Sequence, residues 1–194
     1  LGILLPGMGA VATTLIAGVE SVRRGYTQPV GSLTQLAHIR LGKRTDNRNP
    51  LIKDFAPIAK LDDIVFGGWD PIPDNAYETA IKAGVLQRHE HIEPIADFLK
   101  AIKPMSAVFD RNYVKKLDGP NVKKGKNKRE LGEMLREDIR NFKKDNNCDR
   151  LVMVWCGSTE IFLVPGDEHS TLANFEKAME ANSDQIAPSM IYAW

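Results

Sequence analysis

The 194-residue sequence predicts an α/β fold built on a doubly wound, mostly parallel sheet. Three observations predict it. Short runs that are apolar at nearly every position, Leu1–Leu5, Ile64–Phe66 and Leu151–Trp155, have the pattern of strands covered on both faces. Segments with helical apolar spacing lie between them. A glycine-rich turn joins the first run directly to the first helical segment.

Taken in order, Leu1–Leu5 is bounded by Pro6-Gly7, and helical spacing begins at Ala10, with Val11, Ala12, Leu15, Ile16, Val19 and Val22 on the predicted inner face. Gly25 is placed to end that helix. Residues 26–57 mix Gly, Pro, Asn and basic residues and predict short irregular elements with one or two edge strands. The run Asp63–Asp70 is the second strand. Asp74 is the expected cap of a helix from Asn75 to Lys82 that Gly84 ends. A further helix is expected over His91–Ile102, a short strand at Ala107–Phe109, and an exposed loop over Leu117–Asn127. Lys128–Asn146 predicts the longest helix, with Leu131, Leu135, Ile139 and Phe142 as its seam. Leu151–Trp155 is the third buried strand, and a helix follows over Thr171–Ala181. The residues from Pro188 to Trp194 open another helix, with Pro near its first position. A sequence that begins within a strand, lacks an initiating Met and stops inside a helix reads as a fragment. Met190, Ile191 and Trp194 are then expected to leave apolar surface for a following segment to cover.

Average apolar content and 26% charged residues indicate a folded globular chain. A net charge of +1 gives no reason to expect nucleic acid or an anionic membrane as partner. No apolar run approaches bilayer length, and no signal-peptide pattern opens the sequence. Cys148 and Cys156 have no metal-type spacing and read as reduced thiols, which points to the cytoplasm. His89 and His91 fall on different faces of a helix and are not read as metal ligands, and no other metal site is expected. The run Lys123–Arg129 lacks interleaved aromatics and reads as a solvated loop.

The strongest local motif is Gly7-Met8-Gly9-Ala10-Val11-Ala12, a G-x-G-x-x-A turn between strand and helix. Gly7 permits the tight turn, Gly9 leaves the backbone open to a pyrophosphate, and Ala12 lets helix approach strand. Free N–H groups of Ala10, Val11 and Ala12 would then face the anion. The competing reading is a plain packing turn. The acidic residue that usually follows about 20 positions later to hold a ribose is missing. Asp70, ending the second clear strand, is the best substitute, with a turn cap before Pro71 as the alternative. Cys156, Gly157, Ser158 and Thr159 occupy the same edge, where they read either as ribose or amide contacts or as an ordinary turn.

Five stretches in this order resemble the N-terminal part of the myo-inositol-phosphate synthase family: the glycine turn followed by Ala12-Thr13-Thr14, V-F-G-G-W-D (Val65–Asp70), D-I-R-N-F-K (Asp138–Lys143), V-W-C-G-S-T-E (Val154–Glu160) and I-A-P-S-M-I-Y-A (Ile186–Ala193). The resemblance covers essentially the whole sequence. It implies a Rossmann-type NAD-binding domain over residues 1–183, with 184–194 leading into a catalytic and tetramerisation domain beyond Trp194. It implies an isomerase that converts glucose 6-phosphate to inositol 3-phosphate, the entry to inositol and phospholipid biosynthesis, with NAD reduced and reoxidised in one turnover. The partner is then a sugar phosphate, the full-length protein a homotetramer, and the catalytic lysines lie beyond this sequence. Carried over by motif, Gly9, Ala10, Val11 and Ala12, after the turn residue Gly7, hold the pyrophosphate and Asp70 the adenosine ribose. Cys156 to Thr159 lie near the nicotinamide half. Many relatives carry G-G-N-N at Gly9–Ala12, T-A-N-T at Cys156–Thr159, and Gln and Arg contacts where this sequence has Asp118 and Asn121. These departures resemble a bacterial branch. Other readings are a different NAD-dependent dehydrogenase and a non-catalytic NAD-binding module.

Overall fold

The computed structural model describes residues 1–194. Four parallel strands, β1 (Gly2–Pro6), β2 (Val65–Asp70), β3 (Met105–Ser106) and β4 (Leu151–Met153), form one sheet in the order β3-β2-β1-β4. In β1, Leu4 and Leu5 point to opposite faces, as strand geometry requires, and each is almost fully buried in a different core. That is why the run is apolar throughout. Burying each such leucine is worth about 2 kcal/mol.

Helices α1 (Ala10–Arg23), α4 (Ala76–Ala83) and α5 (Ala96–Ala101) cover the Leu5 face, with Phe66, Ile16 and Leu99 in its core. Helices α6 (Lys128–Asp145), α7 (Leu172–Glu180) and α8 (Pro188–Ala193) cover the Leu4 face around Trp69, Leu135 and Met179. The predicted doubly wound arrangement is therefore present. No helix is long and apolar enough to cross a membrane.

Several local expectations need correction. The inner face of α1 is Ala12, Thr13, Ile16, Ala17 and Glu20, while Val11 is 65% exposed and Leu15 40%. Close approach of a helix to a sheet favours small side chains, and those selected the face over bulkier ones. Buried Glu20 is paired with Arg23 at 3.2 Å and Arg24 at 2.7 Å. The cap of α4 is Asn75, not Asp74: Asn75 and Glu78 exchange side chain–backbone hydrogen bonds at 3.0 and 3.1 Å, and Asp74 instead pairs with Lys82. Gly84, at φ +65°, closes α4 as expected. The segment predicted as one helix from His91 starts with a π turn at Arg88–Ile92 and a 3₁₀ turn at Glu93–Ile95, because Pro94 cannot donate into a regular ladder.

Residues 26–57 contain two four-residue helices, α2 (Leu33–Leu36) and α3 (Ile52–Phe55). They contribute no strand to the sheet, only one antiparallel bridge between His38 and Leu51. The short strand expected at Ala107–Phe109 lies two residues earlier, and Ala107 bridges Val122. The solvated reading of Lys123–Arg129 fails at two positions. Lys123, with its side chain 9% exposed, pairs with Asp138 at 2.8 Å. Lys128 places all three donors on protein, bonding the Tyr113 hydroxyl and the carbonyls of Ser183 and Ile186 at 2.6–2.8 Å. The expected apolar surface at α8 is also largely absent: Ile191 and Tyr192 are buried, and Trp194 lies against Gly132 with the Arg136 guanidinium 3.6 Å from its ring centre.

Candidate cofactor site

The site begins with the turn between β1 and α1. Gly7 adopts φ +89°, and its N–H donates to the Trp69 carbonyl at 2.8 Å. A Cβ at Gly7 would come 2.9 Å from the Gly157 nitrogen, so the turn after β1 rests directly on the turn after β4. A Cβ at Gly9 would meet nothing within 4 Å. Gly9 is the N-cap of α1 yet offers no side-chain acceptor, and no acid stands in the first turn. The positive end of this helix is thus uncompensated beside open space, which fits an anionic group. Ala12 is fully buried, as its packing role demands.

Asp70 ends β2, the strand that neighbours β1 directly. Asp70 therefore stands at the topological place where a ribose-binding acid is expected. The long connection from Tyr26 to Ile64 had displaced it in sequence. The carboxylate also caps its own turn, Oδ1 accepting from the Ile72 N–H at 2.9 Å. Burial pushes its carboxyl above the ordinary range, while the Ile72 and Met8 amides act in the opposite direction. A pKa raised on folding favours the folded state at acid pH, and that contribution is lost as pH rises through the raised value. Asp70→Asn is therefore expected to unfold at a higher temperature than the natural chain at pH 7. The gap should close below the ordinary value of 3.8. Thermal scans at both pH values check this, and a less stable variant at pH 7 would contradict it.

After β4 the ladder continues, Val154 N donating to Leu4 O at 2.9 Å and Cys156 N to Pro6 O at 2.8 Å. This sets the Cys156–Thr159 turn against the glycine turn. Gly7, Asp70, Gly157 and Thr159 line one narrow cleft of about 60 Å³, with Trp69, Trp155 and Tyr192. Cys156 does not share it: its thiol packs towards the core under α1, and burial raises its pKa. A larger cavity of about 410 Å³ lies at the other end of α1, walled by Arg23, Gln28, Gln35 and Lys53, with none of the glycine turn in its lining. The first cleft is the better candidate because Gly7 of the glycine turn and Asp70 line it.

Three residues of this neighbourhood were not singled out from sequence. Glu160 accepts from the Ser189 N–H at 3.0 Å and from its hydroxyl, capping α8. The buried Tyr192 hydroxyl accepts from Val108 N at 3.1 Å, and its ring packs against Trp69 and Trp155 with centres 5.3 and 5.5 Å away. Trp155 stands over Gly157. Pro188, which marks a helix start, was the one signal that an acceptor such as Glu160 was needed there.

A family model described as myo-inositol-1-phosphate synthase, and labelled as an NAD-binding domain, matches residues 1–194. The chain belongs to that family. Its sequence is 50% identical over 196 residues to inositol-3-phosphate synthase 1 of Bacteroides thetaiotaomicron, covering 100% of this chain and 45% of the relative. It is 34% identical to inositol-3-phosphate synthase 1 of Plasmodium falciparum, covering 100% and 35%. The crystal structure of the Caenorhabditis elegans inositol-3-phosphate synthase superposes with a TM-score of 0.85 at 26% identity, over 99% of this chain and 41% of that one. A myo-inositol-1-phosphate synthase-related protein from Thermotoga maritima, at 20% identity and a TM-score of 0.59, shares the fold. The chain thus spans less than half the length of these synthases, and the Rossmann-like architecture is theirs as well.

Proposed function

We propose that this chain is the NAD-holding part of a synthase that converts D-glucose 6-phosphate to 1D-myo-inositol 3-phosphate. The carrying observation is the family match along all 194 residues, with an uncapped α1 and open space at Gly9 where a pyrophosphate belongs. The backbone of Gly9 and the first N–H groups of α1, from Ala10, Val11 and Ala12, hold the pyrophosphate. Asp70 accepts from the adenosine ribose. Gly157, Ser158 and Thr159 border the nicotinamide half, and Cys156 supports them from behind. When bound, NAD supplies a reversible hydride acceptor, so that a sugar-phosphate hydroxyl can become a ketone and later be restored. The intervening enolisation and aldol closure need cations near the substrate. We assign those to the part of the synthase outside this chain, together with tetramer formation, in a cytoplasmic enzyme.

Deuterium placed at the substrate carbon that is oxidised tests the reading in a protein of the relatives' full length. The expected result is label retained in inositol phosphate with no NADH accumulating. Label in free NADH would make the protein an ordinary dehydrogenase. NAD binding without turnover would make it a binding module.

A further inference from the structure

We propose that Asn121 is a positioning residue for cofactor choice, holding the Asp70 turn so that its carboxylate meets the adenosine ribose. The proposal rests on the reading of Asp70 given above. Strands β2 and β3 pair only through Trp69 with Met105 and Asp70 with Ser106, so the sheet offers Asp70 little support of its own. Asn121 supplies it from the connection after β3. Its Nδ2 donates to the Asp70 carbonyl at 2.9 Å and to the Met105 carbonyl at 3.2 Å. Its Oδ1 accepts from the Ser106 hydroxyl at 2.8 Å. Its backbone N–H donates to the Pro71 carbonyl at 2.9 Å, and its carbonyl accepts from Ala107 N at 2.9 Å.

The two carbonyls at Asp70 and Pro71 therefore end on one residue. They fix both peptide planes that aim the Asp70 side chain and the Ile72 N–H that grips it. Every polar group of the Asn121 side chain is used inside the protein, so it acts through Asp70 and not on the cofactor. An acid held in this way accepts from ribose hydroxyls and repels a 2′-phosphate, which favours NAD over NADP. A carboxylate free to turn discriminates less.

Calorimetric titration of NAD and NADP with the natural chain, Asn121→Ala, Asp70→Asn and the double variant tests the proposal, with thermal unfolding as the check on folding. Each single variant is expected to lower the NAD-to-NADP preference about tenfold, the scale of a charged hydrogen bond. The double variant should go no further than Asp70→Asn alone, because two residues acting through one contact are not additive. An Asn121→Ala chain that weakens both cofactors equally, or that shifts the preference again when Asp70 is already Asn, overturns the positioning role. Unchanged preference in Asp70→Asn overturns instead the ribose assignment beneath it. Should Asn121→Ala not fold, Ser106→Ala releases only the bond that orients the Asn121 amide. It should shift the preference in the same direction by less, and no shift there is equally fatal.

Discussion

Replacing Gly7 with alanine is expected to cost the chain roughly 3 kcal/mol of folding free energy, together with its affinity for NAD. Two terms add. At φ +89° a Cβ is strained wherever it points, and here it points 2.9 Å from the Gly157 nitrogen and 3.0 Å from the Cys156 carbonyl carbon. Neither neighbour is the end of a flexible side chain. Both are backbone held by the Cys156–Pro6 hydrogen bond, so the two turns must separate. Gly9→Val is the contrasting case. Its side chain enters open space, so the unfolding midpoint should stay near the natural one while the pyrophosphate position is filled. Urea denaturation and NAD titration of both variants distinguish them. A Gly9→Val chain that binds NAD normally would remove the pyrophosphate from this turn. An undiminished stability in Gly7→Ala would show that the turns yield to each other.

Asp138→Ala should be among the most damaging changes beneath the sheet, at about 3–5 kcal/mol. One carboxylate oxygen, Oδ2, accepts from the Trp69 indole N–H at 2.7 Å and pairs with Lys123 at 2.8 Å. Trp69 is fully buried and the Lys123 side chain nearly so. Removing the acid strands an ammonium and an indole donor together, and neither can readily turn to water. Asp138→Asn keeps an acceptor for Trp69 and loses only the ion pair, so it should fall between. Urea denaturation of the three chains measures the series. A loss below about 1 kcal/mol in the alanine variant would place Lys123 in solvent in the working protein.

The parts of the fold visible in the sequence are those that depend on neighbours close in the chain. The runs around Leu4, Phe66 and Val152 announce strands, and Gly7 and Gly9 announce their turn, because a few adjacent residues carry the whole constraint. The last run, expected to be buried, instead forms the short edge strand β4 with Val152 43% exposed. What stayed hidden depends on distant partners. Lys123 and Lys128 look solvated until Asp138 and the carbonyls of Ser183 and Ile186 are brought to them. The inner face of α1 was read correctly at Ala12 and Ile16 but misread at Val11 and Leu15, which outrank the buried Thr13 and Ala17 only by hydrophobicity where the sheet requires small residues. Asp70 was put forward from its position at a strand end. That the strand is the immediate neighbour of β1 was concealed by the connection over residues 26–64. Asn121 stood out in sequence only as a departure from the relatives' Gln and Arg contacts, and its bonds to carbonyls and a hydroxyl of β2, β3 and the residues beside them stayed hidden.

The central place of β1 has a kinetic consequence. Gly2 pairs with Val65 on one side and with Leu151 on the other, so β1 must wait for its second partner until β4, at Leu151–Met153, has been made. Closing such distant pairings is slow compared with forming helices, because chain entropy is lost before contacts repay it. Until β4 arrives, an edge of β1 and the apolar underside of Leu4 remain open to other chains. The nascent polypeptide is thus most vulnerable to aggregation while α1, α4 and α5 are already available to it and α6 and β4 are not.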